Sequence, residues 1–90
     1  MTKEQVVATA RIIETVKESS EFSEFMFRSI GKFLTHNWGD ICEEDWKMND
    51  LAVKNNDDRI VARYNHQLGD VYFITEHDRS LTTILFCDEY

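Results

Sequence analysis

The spacing of apolar residues changes once along the chain, from a helical period to an alternating one. Near the start, apolar residues recur at intervals of three or four: Val6, Ala10 and Ile13, with Val16 beside them. This spacing is typical of one face of an α-helix, and Thr2 with Gln5 forms a capping-box arrangement ahead of it. The pattern predicts a first, unbroken helix over residues 3–18.

Ser19 and Ser20 interrupt this pattern and offer the N-cap of a second helix. The apolar residues that follow keep the i, i+3, i+4 spacing closely: Phe22, Phe25, Met26, Ile30, Phe33 and Leu34. We therefore expect one face of this helix to be buried, and we expect Gly39 to end the segment.

A third helix is predicted over residues 41–55, because Asp40 and Glu43 form another capping box. Its apolar residues, among them Trp46 and Leu51, do not form a clean stripe, and the other positions are strongly polar. We therefore expect this helix to lie across the surface of the core.

Beyond four consecutive turn-forming residues at positions 55–58, the apolar period becomes alternating. Residues 59–64, 71–75 and 81–86 are rich in β-branched and aromatic side chains and predict strands. Two hairpin turns are predicted between them, at 68–70 and 77–80. The expected fold is α+β in one domain, residues 1–90: two to three N-terminal helices (3–55) packed on a C-terminal three-stranded antiparallel β-meander (59–86).

Length and charge argue against several classes of function, including nucleic-acid binding and membrane binding. Ninety residues suffice for one core, and a net charge of −7 disfavours contact with nucleic-acid phosphates or anionic lipid. The apolar runs are far shorter than the roughly 20 residues that cross a bilayer, and the N-terminus shows no targeting pattern. We therefore expect a cytoplasmic protein that binds neither nucleic acid nor membrane, with Cys42 and Cys87 as reduced, buried thiols.

The segment richest in candidate catalytic groups is the turn at residues 75–80. An enzyme built on Glu76, His77, Asp78 and Ser80 is one hypothesis, but side chains adjacent in a tight turn usually point apart. Such residues more often hydrogen-bond the local backbone, and Arg79 can pair with Glu76 or Asp78. The chain also lacks metal-ligand spacing and a glycine-rich phosphate loop, so we expect no enzyme, metal or cofactor.

Acidic residues are concentrated between positions 40 and 58, and no basic residue occurs between Lys32 and Lys47. Acids at a helix start stabilise its dipole, which is the simpler interpretation. The alternative is an electronegative ridge that resembles a phosphate backbone and fits a basic groove of a nucleic-acid enzyme. A tryptophan beside such a ridge is typical of a binding hot spot, although in so small a domain it is more often core. The candidate partner-binding residues are Trp38, Asp40, Glu43, Glu44, Asp45, Asp50, Asp57 and Asp58.

Two strings resemble a known family. They are Asn37-Trp38-Gly39-Asp40, followed by Glu44-Asp45, and Ile74-Thr75-Glu76-x-Asp78-Arg79-Ser80-x-Thr82-Thr83-Ile84-Leu85, closing on Glu89-Tyr90. They look like small proteins of plasmids and other mobile elements, often labelled plasmid-related protein or, misleadingly, a subunit of a type I restriction enzyme. The resemblance covers residues 25–90 and implies no activity that carries over residue by residue. The predicted first helix departs from the family's usual form, in which a glycine and a proline commonly interrupt it.

A small acidic protein carried by mobile elements has an evident class of target in host nucleases that attack incoming DNA. The leading hypothesis is a protein-binding inhibitor of the anti-CRISPR or anti-restriction kind, with a host nuclease or CRISPR effector as partner. The alternative is an accessory protein for plasmid maintenance or regulation, which binds a protein partner or forms a homodimer. The edge of the predicted strand 59–64 would serve such a homodimer.

Overall fold

Residues 5–90, which the computed structural model describes, form an α+β fold with three α-helices and a four-stranded mixed sheet. The elements are, in chain order, β1 (Gln5–Ala8), α1 (Ala10–Glu18), α2 (Ser20–Leu34), α3 (Glu43–Asn55), β2 (Ile60–Tyr64), β3 (Val71–Thr75), β4 (Leu81–Phe86) and a short 3-10 helix (Cys87–Glu89). The strand order across the sheet is β1-β4-β3-β2. The predicted α+β class is therefore confirmed.

Strands β2, β3 and β4 form the predicted antiparallel meander. The bounds of β3 and β4 are those predicted, and β2 begins one residue later. In the turn between β2 and β3, Gly69 has a φ of 144°, and a Cβ there would lie 2.8 Å from the ring of Phe86. This turn therefore requires a glycine, because a side chain would be both strained and too close to the core.

The first helix is shorter than predicted, because residues 5–8 form a strand that lies parallel to β4. Thr9 is the N-cap of α1, and its side chain accepts a hydrogen bond from the backbone of Ile12. Val6, Val7 and Thr9 are β-branched and favour extended backbone, and together with the available edge of β4 this outweighs the helical spacing of Val6 with Ala10 and Ile13. The predicted three-stranded meander is thus part of a four-stranded mixed sheet. Thr2 of the predicted capping box lies outside the described residues.

The core lies between one face of the sheet and the helices: α1 and α2 pack on each other, and α3 contributes Ala52. Its largest fully buried side chains are Trp38, Tyr64, Phe22, Phe73, Ile12 and Val71. On α1, the buried residue is Ile12 rather than Ile13 of the predicted stripe, because Val6 of that stripe lies in β1 and the helix begins only at Ala10. The start of α1 therefore decides which of its faces meets the sheet.

Helix α2 begins as predicted, with the Ser19 side chain accepting a hydrogen bond from the backbone of Phe22 at 3.1 Å. Phe22 and Met26 are buried, but Ile30 and Leu34 are 38% and 72% exposed. The apolar stripe of this helix is therefore wider than the face that the core covers. Among residues 5–90, no helix has the length and apolar character needed to span a membrane.

Candidate functional site

The seven acidic candidates, Asp40, Glu43, Glu44, Asp45, Asp50, Asp57 and Asp58, lie on α3 and the turns that flank it, and we call them the acidic surface. All seven residues are exposed. The only bases in residues 40–58 are Lys47 and Lys54, so this segment carries a formal charge of −5 out of −7 for the whole chain. The charge is therefore concentrated on one structural element.

The first turn of α3 carries Glu43, Glu44 and Asp45, where the helix dipole stabilises negative charge. Helix α3 begins at Glu43, two residues later than predicted, and its N-cap is Cys42, which makes no side-chain capping bond. Glu43 forms an exposed ion pair with Lys47 at 3.3 Å, a kind of pair that contributes little stability in water. These carboxylates thus remain available to a partner.

Asp40 does not form the predicted capping box, because it binds the edge of β2. Its backbone N–H donates to the carbonyl of Arg63 at 2.6 Å, and its carboxylate accepts from the backbone N–H of Asn65 at 2.9 Å. Gly39, at a φ of 80°, makes this approach possible, because a Cβ there would collide with the Arg63 carbonyl and lie 2.6 Å from the ring of Tyr64. The position of Asp40 is therefore fixed by the sheet.

Trp38 is 1% exposed, so its indole is part of the core and cannot be the surface contact that the sequence suggested. Its ring N–H donates to the carboxylate of Asp50 at 2.9 Å, and its ring stacks on His36 with centroids 5.2 Å apart. Trp38 therefore holds Asp50 at the surface of α3. Its role toward the acidic surface is to position a carboxylate.

The outer edge of β2 is covered by α3 and by residues 38–40. The side-chain amide of Asn49 donates to the carbonyl of Val61 at 2.8 Å and accepts from its N–H at 3.3 Å. The N–H of Arg63 donates to the carbonyl of Trp38 at 3.1 Å, and its carbonyl accepts from Asp40. The outward backbone groups of β2 are thus occupied. A homodimer that pairs two β2 edges, one of the alternatives from the sequence, is inconsistent with this arrangement.

A groove of about 510 Å³ lies between the first half of α3 and the face of the sheet opposite the core. The acidic residues Asp40, Asp45 and Asp58 line it, together with Met48 and Tyr72. Arg59 and Arg63 also line the groove: Arg63 is paired with the carboxylate of Asp70, whereas Arg59 donates to the hydroxyl of Tyr90, which does not neutralise its charge. The groove therefore presents carboxylates, a guanidinium group and apolar walls.

Two apolar residues of α3, which are not among the candidates predicted from the sequence, extend the acidic surface. Met48 and Leu51 are 56% and 55% exposed. They are three positions apart, so they lie side by side on the helix, and Glu44 is one turn before Met48. Their signal in the sequence was the broken apolar stripe of this helix, because residues outside the stripe have no core to contact. Exposed apolar side chains beside acids are suited to a protein contact.

The turn at residues 76–80 is organised by local hydrogen bonds. Asp78 accepts from both the hydroxyl and the backbone N–H of Ser80, at 2.6 and 3.0 Å. These bonds hold the pKa of Asp78 below its ordinary value, so this carboxylate is a weak base toward the Ser80 hydroxyl. Glu76, His77 and Asp78 are exposed, and the geometry favours the structural interpretation of this turn.

Arg79 connects this turn to the far end of α3. Its guanidinium donates to the carbonyls of Ala52 at 2.8 Å, Asp57 at 3.0 Å and Asp58 at 2.7 Å. The expected pairing of Arg79 with the carboxylate of Glu76 or Asp78 is absent within the described residues. Cationic side chains at a helix C-terminus satisfy its unpaired carbonyls. Arg79 thereby fixes the backbone that carries Asp57 and Asp58.

The cysteine and histidine side chains of the described residues do not come together in a metal-binding site. Cys42 is exposed rather than buried as expected, and Cys87 is half-buried, where desolvation raises the pKa of its thiol. His66 packs on Phe25 with ring centroids 4.5 Å apart. No group of three potential metal-ligating side chains comes together in residues 5–90.

Most residues that carry the family resemblance have structural roles next to the acidic surface. Trp38, Gly39 and Asp40 secure the β2 edge, Arg79 binds the end of α3, and Glu89 accepts hydrogen bonds from the hydroxyl of Thr9 and the backbone of Phe86. In comparisons with protein-family models, curated proteins and solved structures, none matched this chain. The implications of the resemblance therefore stay predictions.

Proposed function

We propose that this chain is a protein-binding module that places its acidic surface in a basic site of a partner protein. The observation that carries the proposal is the concentration of charge: a net −5 of the total −7 lies on α3 and its flanking turns, with every carboxylate exposed. A nucleic acid would be repelled by this surface, whereas a channel lined by Lys and Arg is complementary to it.

The mixture of charge and apolar area supports a specific contact. Met48 and Leu51 are both more than half exposed beside the acids of α3. Charge complementarity mainly accelerates association and selects the partner, while a buried apolar centre supplies most of the binding free energy. The acidic surface has both features within one helix.

Part of the acidic surface is also fixed in place before it binds. The sheet edge holds Asp40, the indole of Trp38 holds Asp50, and Arg79 holds the backbone of Asp57 and Asp58. Side chains and turns that are already ordered lose less conformational entropy on binding. The carboxylates of Asp40 and Asp50 and the turn at residues 57–58 are therefore already in place when the chain meets a site shaped for the phosphates of DNA or RNA.

The proposed class of partner is a nuclease or CRISPR effector of host defence, which the chain inhibits by occupying the channel for nucleic acid. The resemblance to small proteins of plasmids and mobile elements supports this choice, because such elements benefit from blocking enzymes that attack incoming DNA. Inhibition of this kind needs no cofactor and no chemical step by the chain itself.

The test is a competition assay with a panel of purified restriction nucleases and CRISPR effectors. The chain is titrated into each enzyme already bound to fluorescent DNA, and DNA release and cleavage are followed together. We expect one enzyme class to release its DNA at constant salt. The affinity of the chain for that enzyme, measured without DNA, should fall with salt, since the Debye length falls from about 10 Å at 0.1 M to about 3 Å at 1 M. Binding to a partner without DNA release would support a protein-binding module and remove the inhibitor role.

A further inference from the structure

We propose that α2 pairs with α2 of a second copy of this chain in an antiparallel dimer centred on Phe27. The outer face of this helix carries three of the exposed large apolar residues: Phe27 is 81% exposed, Leu34 72% and Ile30 38%. Positions 27, 30 and 34 follow helical spacing, so these side chains form one stripe that faces away from the core.

Gly31 lies within this stripe, and no contact inside the described residues accounts for it. An added Cβ at Gly31 would meet no atom within 4 Å, and its φ is not in the positive range where glycine is favoured. A glycine inside a helix weakens it relative to alanine. Close approach of another helix backbone is a reason for a glycine at an exposed helical position, because small residues allow such approach.

The charges along α2 identify the second copy as the occupant. Glu21 and Glu24 lie in its first half, and Arg28 and Lys32 lie in its second half, all four exposed. When two such helices run antiparallel with Phe27 at the two-fold axis, the acidic half of each faces the basic half of the other. A parallel pairing would place like charges together. The helix is thus self-complementary in one orientation.

The sizes of the side chains match the same register. With Phe27 at the centre, Leu34 of one copy lies opposite Ser20 of the other, and Gly31 lies opposite Ser23. Leu34 is thereby placed over a small residue, and the pairing of two small residues, Gly31 and Ser23, allows the backbones to approach. This interface uses α2 alone, so it is independent of the acidic surface on α3 and of the proposed inhibition.

The first test is the mass of the protein in solution, measured by sedimentation equilibrium over a wide concentration range. We expect a concentration-dependent dimer of the 10.7 kDa chain. The variant Phe27→Asp should remain monomeric throughout that range, while Leu68→Asp, which changes another exposed apolar residue, should dimerise as the native chain does. A native chain that stays monomeric, or a dimer that survives Phe27→Asp, would overturn the proposal.

Charge reversal tests the partner's identity. Arg28→Glu with Lys32→Glu should weaken the dimer by about tenfold or more, as should Glu21→Lys with Glu24→Lys. Mixing these two variants should restore dimers, because each then supplies the charge that the other needs. The control Lys17→Glu with Lys54→Glu changes the net charge by the same amount as Arg28→Glu with Lys32→Glu, but outside α2, and should leave dimerisation unchanged. Failure of the mixture to restore dimers would count against pairing through α2.

Cross-linking tests the orientation. In a background of Cys42→Ser and Cys87→Ala, the variants Ser20→Cys and Leu34→Cys should form a disulfide when mixed, and neither should cross-link well alone. Efficient cross-linking of each variant with itself would indicate parallel pairing and contradict the register.

Gly31→Ala separates a role of Gly31 in the dimer from a role in the monomer. This variant should stabilise the monomer to urea while raising the dimer dissociation constant, an effect that a role confined to the monomer would not produce.

Discussion

The side-chain amide of Asn49 makes two hydrogen bonds to the backbone of Val61, one from its Nδ2 at 2.8 Å and one to its Oδ1 at 3.3 Å. Asn49 thus takes the place of a neighbouring strand at the edge of β2. It is 6% exposed, so the backbone groups it satisfies are shielded from water. One side chain of α3 therefore both attaches the helix to the sheet and prevents the edge from pairing with another chain.

Replacing Asn49 with alanine should lower the free energy of unfolding by about 2–4 kcal/mol, because two shielded backbone groups lose their partners. Urea denaturation followed by circular dichroism measures this change. Asn55→Ala is the matched control, since Asn55 is exposed at the end of α3, and it should change stability by less than about 0.5 kcal/mol. Equal effects of the two substitutions would show that the Asn49 bonds contribute little.

The contacts of Arg79 predict that lysine cannot replace it. Arg79→Lys keeps the charge but loses the planar group that reaches several carbonyls at once, so we expect a loss of about 1–3 kcal/mol. Both residues have a Cβ, so the positive φ of 64° at this position is equally strained in each. The control Arg11→Lys alters an exposed ion pair with Asp88 and should cost less than about 1 kcal/mol. A tolerated Arg79→Lys would contradict the proposed link between the hairpin and α3.

The sequence predicted the α+β class and the three antiparallel strands, because turn residues and alternating periods are local signals. It did not predict β1, since Val6, Ala10 and Ile13 follow a helical spacing, and the edge of β4 that favours a strand is distant in sequence. The same limit applies to the site. The acidic residues of α3 can be identified from the sequence alone. The burial of Trp38 and the contacts of Arg79 depend on residues that only folding brings together.

Alanine substitutions at two glycines should change stability in opposite directions. Gly39→Ala should destabilise the fold by about 3 kcal/mol or more, because it combines a positive φ with a collision at the β2 edge. Gly31→Ala, at an open helical position, should stabilise the monomer by about 0.5–1 kcal/mol. Thermal unfolding of dilute protein compares the two variants. A neutral Gly39→Ala would show that residues 38–40 are not held against β2 as described.

The pair of Asp70 and Arg63 predicts a loss of stability in acid. The hydrogen bond from Arg63, followed by one from the backbone of His66, holds the pKa of Asp70 below its ordinary value of 3.8. The folded state therefore binds fewer protons than the unfolded state near this pH, and stability rises with pH there. The contribution of Asp70 is nearly complete above about pH 5 and is lost as the pH falls through its lowered pKa.

Urea denaturation at a series of acidic pH values tests this prediction with Asp70→Asn. This variant should be less stable than the native chain at neutral pH, and the difference should shrink as the pH falls below about 4. Because the carboxylate is about one-third exposed, solvent screening should keep the effect small. A difference between the two proteins that stays constant with pH would contradict a stabilising ionised Asp70.

The most direct test of the proposed function is the DNA-release assay repeated with a triple variant of the acidic surface, Glu43→Gln, Glu44→Gln and Asp45→Asn. The matched control is Glu14→Gln, Glu18→Gln and Glu76→Gln, which removes the same number of exposed charges elsewhere. The proposal predicts that, at constant salt, the first variant needs at least about tenfold more protein for half-maximal DNA release, while the control behaves like the native chain. Direct binding of the first variant to the enzyme without DNA should also depend less steeply on salt. Equal inhibition by the native chain and both variants would show that the acidic surface is not the binding site.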